Sequence, residues 1–220
     1  MGRKAIFGGT FDPIHWGHLL IAETALSQIG VEQIIWVPTQ RPPHKQVLSY
    51  EHRRAIVECA IADNPAFILD APEISDAEPD YAINTLAYFQ QTYPNQDWYW
   101  IIGLDAFQTL PRWYARDRLI PACDWLVAPR PFASTTQTNV RPEQHKTQQA
   151  IDSQMSQLCQ QVDRKLASQT ISIRWQLLHM PPVDISSSLI RQYCRQHRSI
   201  RYLVPETVRA YIAVHNLYSD

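Results

Sequence analysis

The sequence has almost no excess of either charge. A formal net charge of −1 leaves no basic footprint of the kind extended nucleic-acid binding requires. No apolar run reaches membrane length, and the first strand-like run comes too early for a signal peptide, so a cytoplasmic protein is expected, with neither membrane nor nucleic acid as partner. There is no C-x-x-C pair. Cys59, Cys123, Cys159 and Cys194 stand far apart, which argues against zinc ligation and a disulfide framework and for buried or idle thiols. Neither common phosphate-loop signature fits: no Walker lysine follows the first glycines, and they are not spaced G-x-G-x-x-G. Internal repeats and linkers are also missing. What remains is an ordinary globular composition, 45% hydrophobic and 19% charged over 220 residues. That length suits a single domain, 1–220, with a sizeable core.

The informative stretch is Ala5-Ile-Phe-Gly-Gly-Thr-Phe-Asp-Pro-Ile-His-Trp-Gly-His18. A short apolar run leads to Gly8-Gly9, where a tight turn is expected, with positive φ at no steric cost and close approach to a ligand. Leu19, Ala22, Leu26 and Ile29 then recur at helical spacing. A helix start offers N–H groups and a positive dipole end, a natural phosphate seat. His15 and His18 lie one turn apart and are able to address the same phosphate. Of eight histidines, only these two and His44 stand in motif-like surroundings.

Further strands are expected at 32–37, 67–69, 98–103, 125–128 and 171–178, and helices at 51–63, from a cap at Asp80, at 115–120 and at 206–215. Strands alternating with helices give an α/β fold, a Rossmann-like doubly wound parallel sheet with a C-terminal helical extension. Trp98–Gly103, the most apolar strand, is expected to be central. Residues 132–168 read as a polar insertion. Within it Ile151, Met155, Leu158, Val162 and Leu166 form an amphipathic stripe, free to pack on the body or on a partner chain.

Three other places carry chemistry-bearing residues. Lys45 sits at the tip of a proline-rich loop after the second strand, within reach of a phosphate at the sheet's carboxyl edge. Gly103 and Asp105 follow the fourth strand, where glycine admits a nucleoside and a carboxylate accepts from ribose hydroxyls. Ile185-Ser-Ser-Ser-Leu-Ile-Arg191 reads as a helix capped by Ser186 and stapled by Ile185 and Ile190. Ser187, Ser188 and Arg191 are then aimed outward, a fork plus hydroxyls suited to a pyrophosphate leaving group.

Read in order, these motifs resemble the nucleotidylyltransferase superfamily, whose signature is H-x-G-H, and within it the nicotinate-mononucleotide adenylyltransferases. The resemblance rests on G-G-T-F-D-P-x-H-x-G-H, P-P-H-K, I-I-G-x-D…W-Y and I-S-S-x-x-I-R. It implies that Gly8, Gly9, Thr10, Phe11, Gly103, Asp105, Ser187 and Ser188 bind ATP, and that His15, His18, Lys45 and Arg191 steady the transition state. Lys45, Tyr81, Ala82, Thr85 and Trp113 would receive the mononucleotide, Trp113 by stacking on its pyridine ring. The sequence departs from the family at Asp80-Tyr-Ala-Ile-Asn-Thr85, where the pattern is S-Y-T-x-x-T. Ala82 lacks the hydroxyl expected near the nicotinate carboxylate, a loss of about 1 kcal/mol if that bond went only to substrate.

The implied reaction transfers AMP from ATP to nicotinate mononucleotide, giving deamido-NAD and pyrophosphate. The acceptor phosphate attacks in line, so positioning and charge stabilisation carry catalysis. Mg²⁺ would be carried with ATP, with no protein metal ligands, and Asp12 would hold the turn. Nicotinamide mononucleotide as acceptor, a phosphopantetheine transferase and a non-catalytic ATP- or NAD-sensing module stay open, as does a homo-oligomer.

Overall fold

The computed structural model describes residues 2–42, 47–72, 80–129 and 148–219. Six parallel strands form one sheet: β1 (Gly2–Gly9), β2 (Gln33–Pro38), β3 (Phe67–Leu69), β4 (Gln96–Gly103), β5 (Asp124–Ala128) and β6 (Arg174–Leu177). Their order is β3-β2-β1-β4-β5-β6, so the direction of winding reverses between β1 and β4. Open α/β sheets leave a crevice at the carboxyl ends of such a pair. β1 and β4 are central because both of their faces are covered, and only continuous apolar runs tolerate that.

Alternation along the strands sorts side chains into two cores. Ala5, Phe7, Ile34, Trp36, Ile101 and Leu126 face α1 (Trp16–Ile29), α2 (Tyr50–Ile61), α7 (Ser187–Arg195) and α8 (Glu206–Val214). Ile6, Ile35, Trp100, Ile102, Trp125 and Val127 face the opposite layer. There α3 (Ala82–Thr92), the short helices α4 (Leu104–Phe107) and α5 (Arg116–Leu119), and the long α6 (Gln148–Ala167) pack down. The polar segment's amphipathic stripe therefore finds the sheet. Met155, Cys159, Val162 and Leu166 are buried, with Cys159 joining the predicted set and Leu158 at its margin. Residues 130–147, most of the polar part, lie outside the described residues.

Three expectations need correction. Gly8 and Gly9 do not make the turn: they are the last two residues of β1, and the positive φ falls on Phe11 (47°). Asp80 does not cap α3: Tyr81 occupies the cap position, and the Asp80 carboxylate instead accepts from the Gln40 backbone N–H at 3.0 Å. The last strand begins only at Arg174, because the Ile171 N–H is turned back onto the Leu166 carbonyl at 3.0 Å. Among the described residues no helix is long and apolar enough to cross a membrane.

Candidate active site

A cleft of about 990 Å³ lies over the carboxyl edge of β1 and β4, near the upper end of the ~300–1,000 Å³ usual for small-molecule sites. Gly8, Gly9, Thr10, Phe11, His15, His18, Gly103, Asp105, Ser187, Ser188 and Arg191 all line it. Every residue expected on the ATP side thus shares one cavity, although they come from positions 8 to 191 of the chain.

The turn after β1 is held by contacts rather than by glycine flexibility. The Phe11 ring folds over Gly9, where an added Cβ would lie 2.9 Å from it. The same ring meets Trp36 at 5.4 Å and the His18 imidazole edge-on at 5.2 Å. The Asp12–Pro13 bond is cis. His15 is the N-cap of α1: its Nδ1 accepts from the Gly17 N–H at 3.2 Å, and His18 Nδ1 accepts from the His15 N–H at 3.3 Å. This is a capping box built from two imidazoles, whose ring centroids are 3.8 Å apart. An Nδ1 that accepts leaves the proton of a neutral ring on Nε2, the tautomer suited to donating toward a phosphate oxygen. Gly17 is small for a steric reason, since a Cβ there would sit 3.0 Å from the His15 ring.

The distant serine–arginine helix start closes onto this turn. Ser186 caps α7 by accepting from the Leu189 N–H at 3.2 Å, as expected. Ser187 and Ser188 are not simply aimed outward. Ser187 Oγ donates to the Pro13 carbonyl at 2.9 Å, and Ser188 Oγ accepts from Arg191 at 3.2 Å. Arg191 Nη1 donates to the Asp12 carbonyl at 2.6 Å and lies 3.8 Å from Asp12 Oδ2. Asp12 is 4% exposed and holds the turn, its Oδ1 accepting from the Tyr218 hydroxyl at 2.8 Å. Burial and the Asp12 carboxylate push the Tyr218 phenol well above its ordinary pKa, so it stays a donor.

A second fastener is Arg53, 1% exposed on α2. Its guanidinium donates to three carbonyls: Leu48 at 2.9 Å, Thr10 at 2.9 Å and Gln40 at 3.2 Å. Burial lowers its pKa from the usual arginine value, an effect that nearby Asp12 opposes. Gln40 and Leu48 flank the segment 43–46, which lies outside the described residues and holds the expected Lys45 and His44. Burial also raises the Asp80 carboxyl pKa, which the Gln40 N–H bond opposes. Neither Arg53 nor Tyr218 was legible in the sequence: one of two adjacent arginines after Ser49 and a tyrosine near the end of the sequence match no motif, and the turn they fasten lies 43 and 206 positions away.

The residues expected around the mononucleotide gather apart from these. Thr85 is buried, Ala82 half-buried, and exposed Tyr81 stacks on Tyr114 with centroids 4.2 Å apart. Trp113 is half-buried, its indole N–H donating to Thr109 Oγ1 at 2.9 Å and its ring edge-on to Trp125 at 6.1 Å. None of Tyr81, Ala82, Thr85 and Trp113 lines the cleft. The described residues contain no group of three or more His, Cys, Asp or Glu placed to hold a metal.

A doubly wound parallel sheet with a histidine- and arginine-lined cleft at its winding reversal defines a Rossmann-like α/β protein, and the side chains at that edge have the chemistry to bind phosphate. Comparison with known proteins narrows this. The chain belongs to the cytidylyltransferase-like family, whose model matches residues 6–193, and within it to the nicotinate-nucleotide adenylyltransferases. It is 51% identical over 220 residues to a probable nicotinate-nucleotide adenylyltransferase of Trichormus variabilis, spanning 100% of this chain and 99% of that one. A counterpart in a Synechococcus species is 40% identical over 98% of this chain and 96% of its own. A solved structure of nicotinic acid mononucleotide adenylyltransferase from Plasmodium falciparum, complexed with NaAD, shares the fold with a TM-score of 0.70 at 18% identity, over 99% of this chain and 98% of that one.

Proposed function

We propose that this chain transfers AMP from ATP to nicotinate mononucleotide, yielding deamido-NAD and pyrophosphate. The observation that carries the proposal is the meeting of the His15–His18 pair with Arg191 and Ser188 on one cleft of about 990 Å³. In the reaction, a phosphate oxygen of the mononucleotide forms a bond to the α-phosphorus of ATP. The bond from that phosphorus to the bridging oxygen breaks, and pyrophosphate leaves. The attacking group is already an anion, so no side chain need act as nucleophile. His15 and His18 donate to the oxygens gathering charge at the α-phosphorus, while Arg191 and Lys45 offset the charge on the departing pyrophosphate. Gly8 to Phe11, Gly103 and Asp105 shape the adenosine side, and the substrate is ATP with Mg²⁺ on its own phosphates. Soluble nucleotides on both sides of the reaction suit a cytoplasmic enzyme.

Tyr81, Thr85 and Trp113 receive the mononucleotide, with an indole face against an electron-poor pyridinium worth roughly 1–2 kcal/mol when desolvated. Ala82 opens the acid-versus-amide question, because no hydroxyl stands there. The start of α3 supports the acid, since no side chain caps this 11-residue helix. While the Asn84 N–H donates to the Tyr81 carbonyl at 2.9 Å, the earlier Ala82 and Ile83 N–H groups suit a nicotinate carboxylate. The acid is therefore the preferred acceptor. Purified protein given ATP and either mononucleotide, with pyrophosphate release followed, tests this. Turnover favouring nicotinate mononucleotide in kcat/KM is expected. Preference for the amide would move the assignment to nicotinamide mononucleotide, and no release with either would leave a nucleotide-binding module.

A further inference from the structure

The geometry points to Tyr218 as a positioning residue that keeps Arg191 available to the triphosphate by occupying one oxygen of Asp12. This rests on the cleft being the ATP site of the proposed reaction. Asp12 is a buried carboxylate with one donor and two cations about it: the Tyr218 hydroxyl at 2.8 Å on Oδ1, Arg191 at 3.8 Å from Oδ2, and Arg53, whose guanidinium donates elsewhere but senses its charge. A carboxylate and a guanidinium this close are disposed to form a bidentate pair, the strongest arrangement open to them. Arg191 does not do so here. It spends its short bond on the Asp12 backbone carbonyl at 2.6 Å, reaches Ser188 at 3.2 Å, and stays 29% exposed at the cleft.

The competing donor explains why. The phenol on Oδ1 fixes the rotation of the carboxylate and leaves Oδ2, 3.8 Å away, as the oxygen nearest the guanidinium. Tyr218 follows α8 and does not itself line the cleft; its hydroxyl meets the site through its hydrogen bond to Asp12. Remove that hydroxyl and Asp12 is free to rotate onto Arg191, drawing a cation away from the β- and γ-phosphates.

Tyr218→Phe tests this, because it deletes one oxygen and keeps the ring. A matched control is Tyr93→Phe, which removes a similar phenol–carboxylate bond, Tyr93 to Asp70 at 3.1 Å, away from the cleft. The expected result for Tyr218→Phe is a fall of about tenfold in kcat/KM for ATP, with the KM for the mononucleotide within about twofold and product inhibition by pyrophosphate weakened by a similar factor. Tyr93→Phe should leave all three unchanged. In an Asp12→Asn background, where no charge competes for Arg191, Tyr218→Phe should have little further effect on ATP. Calorimetric titration with ATP gives the same reading without turnover, so an unexpected acceptor would sink the proposed reaction and leave this inference standing. Unchanged ATP kinetics and affinity in folded Tyr218→Phe would overturn it, as would an equal loss toward both substrates or full additivity with Asp12→Asn.

Discussion

Single residues in this cleft hold the fold and carry the proposed chemistry from one side chain. His18 closes the capping box of α1 through Nδ1, and in the proposed reaction its Nε2 would donate to phosphate. Replacing it with alanine should therefore have two separable effects. The cap loss should cost about 1 kcal/mol of stability. The lost transition-state donor should lower kcat by about 100-fold with little change in KM. Steady-state kinetics alongside a thermal melt measures both, and an intact kcat would remove His18 from the mechanism. Gly17 makes a sharper case, since it has no side chain to act on a substrate although it lines the cleft. A methyl group there meets the His15 ring at 3.0 Å, so Gly17→Ala should displace that imidazole. A kcat loss of about tenfold or more is expected, with helix content preserved by circular dichroism. The motif letters H, G and H were readable from sequence, but the reason for the G was not, because the crowding atom belongs to a side chain whose rotamer only the fold sets.

At the scale of elements, α2 contributes no residue to any motif and yet controls two loops. Arg53 ties Thr10, Gln40 and Leu48 together, so the phosphate turn and both flanks of the Lys45 segment share one buried cation. Arg53→Met keeps the aliphatic stem and strands three carbonyls. A destabilisation of about 3 kcal/mol is expected in urea unfolding, together with raised KM values for both substrates. A stability change under about 1 kcal/mol would show that water satisfies those carbonyls instead. Helices and strands themselves were largely legible, because periodicity reports burial of a face. Their ends were less so. Asp80 looks like a cap by residue type, but a carboxylate serves whichever N–H the fold presents, and here that is Gln40 across 40 positions of sequence.

On the scale of the whole molecule, the core on the α3–α6 side of the sheet shuts away both Cys123 and Cys159. Burial raises both thiol pKa values, that of Cys159 from 9.0 to about 12. The folded state therefore holds a proton that the unfolded chain releases above pH 9, and stability must fall as the pH climbs from 9.0 toward about 12. Urea midpoints taken at rising alkaline pH should decline less steeply for Cys159→Ala than for the parent. Identical slopes would contradict the assignment.

The sequence by itself determined that the sheet is parallel and doubly wound, and it named the histidines, serines, glycines and arginine that the cleft brings together. These follow from local pattern: burial on both faces demands apolar runs, and phosphate chemistry demands particular side chains at strand ends and helix starts. Tertiary structure alone decided that Arg191 rests on Asp12, that Tyr218 and Arg53 fasten the turn, and that Phe11 rather than glycine bears its positive φ. Those choices turn on bond lengths between groups as far as 206 residues apart, and nothing in a residue's neighbours along the chain encodes such a distance.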